Sequence, residues 1–338
     1  MKVTFTLSTV LLFSLFNSVS QARIAAADHS VATQPDAVKP SAREGHCLVY
    51  DEKRRRVILL DGYQPPHQPE LGEVWSWDGK RWELLPGSGP AARSLSGAVY
   101  DSRRQKIVEF GGVGNIGYED LKGDTWEWNG QSWRQMTDVG AGTRDHHSMA
   151  YDAARRKTVM YGGQNTNRSW AKDTWEWDGV KWTKIFAPGP GGRAHSAMAY
   201  DSRRKKVLLF GGQGEDGRPH NDTWEWDGSA WRKVSDEGPP PRSHHRMAFD
   251  SRAGVMLLYG GVGVRTAGAS GLNVLADMWS WDGKSWTEIK TTGPGKRLLH
   301  AMAYDAARGR LVLYGGDDGR RLFDDTWEWD NKQWMKIK

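Results

Sequence analysis

The sequence predicts an all-β fold, a six-bladed β-propeller with four antiparallel strands per blade, and three recurrences predict it. An Arg opens each of six units, at Arg43, Arg93, Arg144, Arg193, Arg242 and Arg297, spaced by 50, 51, 49, 49 and 55 residues. A Gly-Gly pair keeps the same rhythm at Gly111, Gly162, Gly211, Gly260 and Gly315, reduced to Asp61-Gly62 in the first unit. A Trp-x-Trp pair starts at Trp75, Trp126, Trp175, Trp224, Trp279 and Trp327, and a further Trp follows at Trp82, Trp133, Trp182, Trp231, Trp286 and Trp334. Eighteen of the nineteen tryptophans thus hold repeat positions, so the repeat accounts for them. A period near 50 residues means that one supersecondary unit is copied along the chain.

Each unit parses into four short strands, a to d, read most clearly in the fourth as HSAMAYD, KVLLFGG, DTWEWDG and WRKV. Strand a follows the leading Arg. A charged turn (DSRRKK) leads to strand b, a β-branched and aliphatic run that ends on the Gly pair. Strand c carries the Trp pair, and an Asp-Gly or Asn-Gly then supports a tight hairpin into strand d. Each small sheet must bury both faces, and neighbouring blades in a ring can cover them. The units run over about 43–92, 93–143, 144–192, 193–241, 242–296 and 297–338. Since the chain opens at a strand a and stops after a strand d, the ring can close by packing alone, although residues 23–42 could instead lend a strand.

The 338 residues carry a net charge of +6, 40 Gly and a single Cys, which excludes an internal disulfide framework. Residues 1–22 hold Lys2, an apolar stretch centred on Val10 to Phe16, then Ser20 and Ala22. This reads as a cleavable signal peptide, so the mature protein is expected to be secreted or periplasmic. Residues 23–42 are small, polar and Pro-containing, which suits a flexible leader. No stretch is long and apolar enough to span a bilayer as a helix.

The Gly pair ending strand b, the aromatic pair of strand c and the Trp opening strand d resemble the kelch family of β-propellers, with the family's galactose-oxidase-like architecture. The resemblance covers residues 43–338, and Asp61-Gly62 is its main departure. The Trp-Asp dipeptides at Trp77, Trp177, Trp226, Trp281 and Trp329 suggest the WD40 family, but only Gly45-His46 supplies that family's Gly-His pair. Sialidase-type Asp boxes fit less well, because Asp and Gly here are adjacent.

Antiparallel strands place the d-to-a and b-to-c connections on one face of the ring and the a-to-b and c-to-d turns on the other. The second face repeats, with basic turns such as Arg103 to Lys106 beside Asp78, Asp178, Asp227, Asp282 and Asp330, and reads as a solvated Arg/Asp lattice. The first face varies: its b-to-c loops, from YQPPHQPELG in the first unit to DDGRRLFD in the sixth, share almost nothing. Variable loops on a rigid scaffold are where binding usually sits. Trp170, the one Trp outside the repeat, is a candidate ligand contact as an exposed indole or else a loop anchor.

The six leading arginines are candidate ligand-binding residues near the channel mouth. Each unit also supplies an acid at the start of strand c (Glu73, Asp124, Asp173, Asp222, Asp277, Asp325), which favours structural pairing over a free guanidinium clasp. In kelch proteins, Arg at this strand start serves acidic partners. His146, His195 and His244 precede His147, Ser196 and His245 in the middle blades. Neighbours in a strand point to opposite faces, which argues against a shared metal, and no metal or cofactor is expected. Two residues break the repeat: Arg246 stands where the other units have Cys47, Gly97, Ser148, Ala197 and Ala301, and Glu109 where they have Leu59, Met160, Leu209, Leu258 and Leu313. Blades 2 and 5 oppose each other in a six-membered ring, so these two charges are expected to mark a polar pocket near the axis.

These features support an exported binding module that recognises a glycan or a protein through the variable face, with nucleic acid disfavoured by export. The alternative, from the resemblance to exported kelch proteins that mutarotate sialic acid, is a sugar-active enzyme with Arg246 and Glu109 as its catalytic pair. Copper chemistry of the galactose oxidase kind requires a Cys-linked Tyr. Cys47 is the sole thiol and reads as a packed strand residue.

Overall fold

The computed structural model describes residues 39–338 apart from 66–70, 88, 115–116, 138–139 and 266–269. The expected signal peptide and residues 23–38 of the expected leader lie outside the described residues. Six four-stranded antiparallel sheets follow one another along the chain, each in the order a-b-c-d and each drawn from a single repeat. The ring therefore closes without strand exchange. Strands a span Cys47–Asp51, Gly97–Asp101, Ser148–Asp152, Ala197–Asp201, Arg246–Asp250 and Ala301–Asp305. The a–b and b–c registers are the same in every blade, as in the fourth, where Met198 pairs with Leu209 and Leu209 with Trp224, while the c–d pairing carries a bulge in blades 2 and 4.

Strand b is the most deeply buried, as its apolar run requires: Val207, Leu208, Leu209 and Phe210 have no exposed surface. It ends on glycine because the chain there turns into the left-handed region while touching the next blade. At Gly111 (φ +68°) an added Cβ would lie 2.5 Å from the Arg144 carbonyl. The following Gly112 N–H donates to that same carbonyl at 2.9 Å. The c-to-d turn is a four-residue loop whose leading Asp accepts two backbone N–H groups, as Asp227 does from Ser229 and Ala230.

Indoles join the blades. The Trp opening strand d reaches into the preceding blade and donates to the Thr at the start of its strand c: Trp182 to Thr125, Trp231 to Thr174, Trp286 to Thr223 and Trp82 to Thr326. That Trp packs against the aromatic or aliphatic residue ending the preceding strand b, as Trp231 does on Tyr161 with ring centroids 5.2 Å apart. A full aromatic plane plus one satisfied donor is what a buried Trp needs.

The face of a-to-b and c-to-d turns is the charged lattice expected. Asp101 accepts the Arg104 backbone N–H and its guanidinium, which also reaches Glu127, and the set recurs as Asp152, Arg155 and Glu176 and as Asp305, Arg308 and Glu328. Among the described residues no helix is long and apolar enough to cross a membrane.

Candidate functional site

Each leading Arg is buried and points between strands b and c of its own blade. Its guanidinium donates to the carbonyl of the residue that follows strand b (Asp61, Gly111, Gly162, Gly211, Gly260, Gly315) at 2.9–3.1 Å. It also pairs with the acid that opens strand c: Arg43 with Glu73, Arg93 with Asp124, Arg144 with Asp173, Arg193 with Asp222, Arg242 with Asp277 and Arg297 with Asp325, at 2.6–2.9 Å. The acid in turn accepts the indole N–H of the first Trp of strand c, as Asp222 does from Trp224 at 2.7 Å. Burial opposes ionisation of these acids, yet the arginine's hydrogen bonds and charge hold Asp124, Asp173, Asp222, Asp277 and Asp325 below the ordinary carboxylate value. The structural reading of the six arginines therefore fits, and their expected convergence at the channel mouth is corrected. Their donors are turned sideways into the blades.

What does converge at the axis is the residue two places after each Arg. Gly45, Leu95, His146, His195, His244 and Leu299 all have φ between 51° and 65°. Each of these N–H groups donates to the carbonyl of its counterpart in the preceding blade: Leu95 to Gly45, His146 to Leu95, His195 to His146, His244 to His195, Leu299 to His244, and Gly45 to Leu299, at 2.8–3.2 Å. A closed cycle of six hydrogen bonds results. The three imidazoles fill its centre, with His195 stacked on His244 at 3.7 Å and His146 tilted against His195 at 3.8 Å. Repeat spacing aligned these positions but carried no sign of their backbone conformation. The expectation that His146 and His147 are strand neighbours fails for that reason: His146 lies outside the strand, and His147 packs edge-on against Phe110. Among the described residues no group of three His, Cys, Asp or Glu is arranged to hold a metal ion.

Behind this plug lies a cavity of about 300 Å3, lined by strand a of every blade from the level of His46 down to Tyr50, Tyr100 and Tyr200. The Cys47 thiol is one wall of it, pushed up to about 12 by burial and held to the Ser96 carbonyl at 3.4 Å. Arg246 is another wall. Glu109 is not. It has no exposed surface and lies at the blade 1–blade 2 interface, 3.9 Å from the Arg93 Nε and against Asp61. Burial first, then the Glu109 charge, raise Asp61 well above its ordinary value. The expected pocket between Arg246 and Glu109 is thus corrected. One charge faces the channel; the other pairs with Asp61, the second departure from the repeat in the neighbouring blade.

Trp170 is half-buried, bridged through its backbone to Gln164, with its ring edge-on to His195 at 6.5 Å. It stands beside the histidine plug. Sequence reasoning had no means to find Phe186, at the start of a d-to-a connection and 91% exposed.

Six four-stranded blades closed by arginine clamps and inter-blade indoles define the class of the protein, a six-bladed β-propeller whose repeats are similar to kelch repeats. A kelch-repeats domain model, described as the KLHDC2/KLHL20/DRC7 Kelch-repeats domain, matches residues 178–338, the second half of the ring. No curated protein matches the chain.

Proposed function

We propose that the chain is a recognition module that binds a protein partner through the face made by the b-to-c and d-to-a connections. Kelch propellers typically bind protein partners. The observation that carries the reading is the contrast between the two faces of one rigid ring. On the turn face the arginine that follows strand a is engaged with the Asp that ends that strand in five of the six blades, blade 5 having Ala253 there. On the loop face the exposed groups differ from blade to blade: Phe186, Val264 at 56% exposure, Arg218 at 86% and Arg321 at 75%. The Arg218–Asp216 and Arg321–Asp318 pairs are long, 4.0 and 3.9 Å, and water-exposed, so they hold these cations only loosely. Aromatic and Arg side chains around a preformed surface are what protein interfaces favour.

The test is partner capture by chemical cross-linking in the native source, repeated with two variants. A Phe186→Ala/Arg218→Ala/Arg321→Ala triple variant should lose affinity for the captured protein by about tenfold or more, since interface anchors of this kind each contribute on the order of 1 kcal/mol or more. A Lys53→Ala/Arg103→Ala variant of the turn face should not. The reverse pattern would place recognition on the other face.

A further inference from the structure

We propose that the central channel holds one small oxyanion, a carboxylate or a phosphate or sulfate group, on the guanidinium of Arg246. This site is separate from the loop face and stands or falls independently of it. Five of the six strands place a small residue at this level, Cys47, Gly97, Ser148, Ala197 and Ala301, and those five leave the space into which the sixth sends an Arg. Arg246 is enclosed by protein yet keeps accessible surface, because what it faces is the cavity. Its hydrogen bond to protein is a long one, Nη1 to the His245 carbonyl at 3.4 Å. Among the described residues no carboxylate lies within ion-pair distance of it.

Nothing else nearby neutralises that charge. The Cys47 thiol is held protonated. Asp61 and Glu109 are drawn to Arg93 and Arg43 instead. Burial lowers His46, His195, His244, His245 and His300 well below the ordinary imidazole value, and the Arg246 charge adds to the effect in each, so these rings are neutral. A cation enclosed without a counter-charge costs several kcal/mol, and the small side chains at the same position in other blades show that the fold does not require one there. A guanidinium fork is matched by the paired oxygens of a carboxylate or phosphate. Ser96, Ser148 and Ser196 line the same cavity and bring hydroxyl groups that can turn to an anion. The volume accommodates a small acid or a single phosphate and excludes a folded partner.

Inorganic phosphate and acetate, titrated separately into the purified chain by calorimetry, test the assignment. One saturable site per chain is expected with at least one of them, at about 10 mM or tighter, together with a rise in thermal midpoint as ligand is added. Preference for phosphate or for acetate decides between a tetrahedral and a planar oxyanion. Arg246→Ala restores the residue of blades 4 and 6, should fold at least as stably, and should weaken binding by about tenfold or more; Arg246→Met serves if the smaller side chain fails. Arg320→Ala, an exposed loop arginine, should bind as the parent does. Absence of a saturable site for both anions in the folded parent, or unchanged binding after loss of Arg246, overturns the proposal.

Discussion

Asp61 occupies a left-handed position, φ 61°, that five other blades give to glycine, and it faces Glu109, which replaces the leucine or methionine of every other strand b. Each substitution alone would bury a charge; together they lie beside Arg93, which stands 3.9 Å from Glu109, and the proton is held on Asp61 by burial and by its neighbour's charge. Because the folded-state value of Asp61 is raised above 3.8, its stabilising contribution is complete below that pH. It falls as pH rises through the folded value, where ionisation is forced on the buried pair. Asp61→Asn should flatten this decline, read as urea midpoints between about pH 4 and 8. Restoring the repeat with Asp61→Gly/Glu109→Leu should stabilise the ring by roughly 1–4 kcal/mol at neutral pH, as removal of a buried charge pair commonly does. A midpoint that stays level with pH in the parent chain would refute the raised value of Asp61. Both departures were visible in the sequence, yet the partner assigned to Glu109 was Arg246. Counting blades across the ring suggested opposition at the axis, whereas the Glu109 side chain leaves strand b toward the preceding blade, where only three-dimensional adjacency brings Asp61 within reach.

At the scale of the strand, the rule that the Trp of strand d donates to a Thr of the preceding strand c has two exceptions with one cause. The indole N–H groups of Trp133 and Trp334 are buried without a hydrogen-bond partner. The residues they would address, where four other blades have Thr, are Val74 and Met278. A buried donor left unsatisfied costs about 1–3 kcal/mol. Val74→Thr conserves volume and should supply the missing acceptor to Trp133, stabilising the protein by about 1 kcal/mol in denaturant unfolding. No gain, or a loss, would mean that the hydroxyl cannot reach the indole. The strands themselves were legible because their signals are local: glycine pairs, alternating burial and Trp spacing survive in one dimension. The left-handed ring of Gly45, Leu95, His146, His195, His244 and Leu299 was not, since Leu and His at positive φ have no compositional signature. The three histidines, read from the sequence as structural and not as a metal set, are the filling of a hydrogen-bonded collar.

For the whole molecule, the consequence of drawing all four strands of each blade from one repeat is a seam between blades 6 and 1 with no covalent crossing. Side chains close it as they close the other interfaces. Trp82 donates to Thr326 at 2.8 Å, against 2.9 Å for Trp231 on Thr174, and Trp77 donates to Glu328 at 2.9 Å. The missing d-to-a connection is replaced by residues 39–42, which the sequence assigned to a flexible leader. Pro40 accepts the Tyr314 hydroxyl just as Gly191 accepts that of Tyr161, and Lys39 pairs with Asp324. A ring closed this way resists opening only if its seam is as strong as its internal joints. Thr326→Val at the seam and Thr174→Val at an internal joint each strip one buried indole of its acceptor, so each should cost about 1–3 kcal/mol in urea unfolding, equal within the error of the measurement. A markedly smaller cost at Thr326 would show that the seam already parts before the blades unfold.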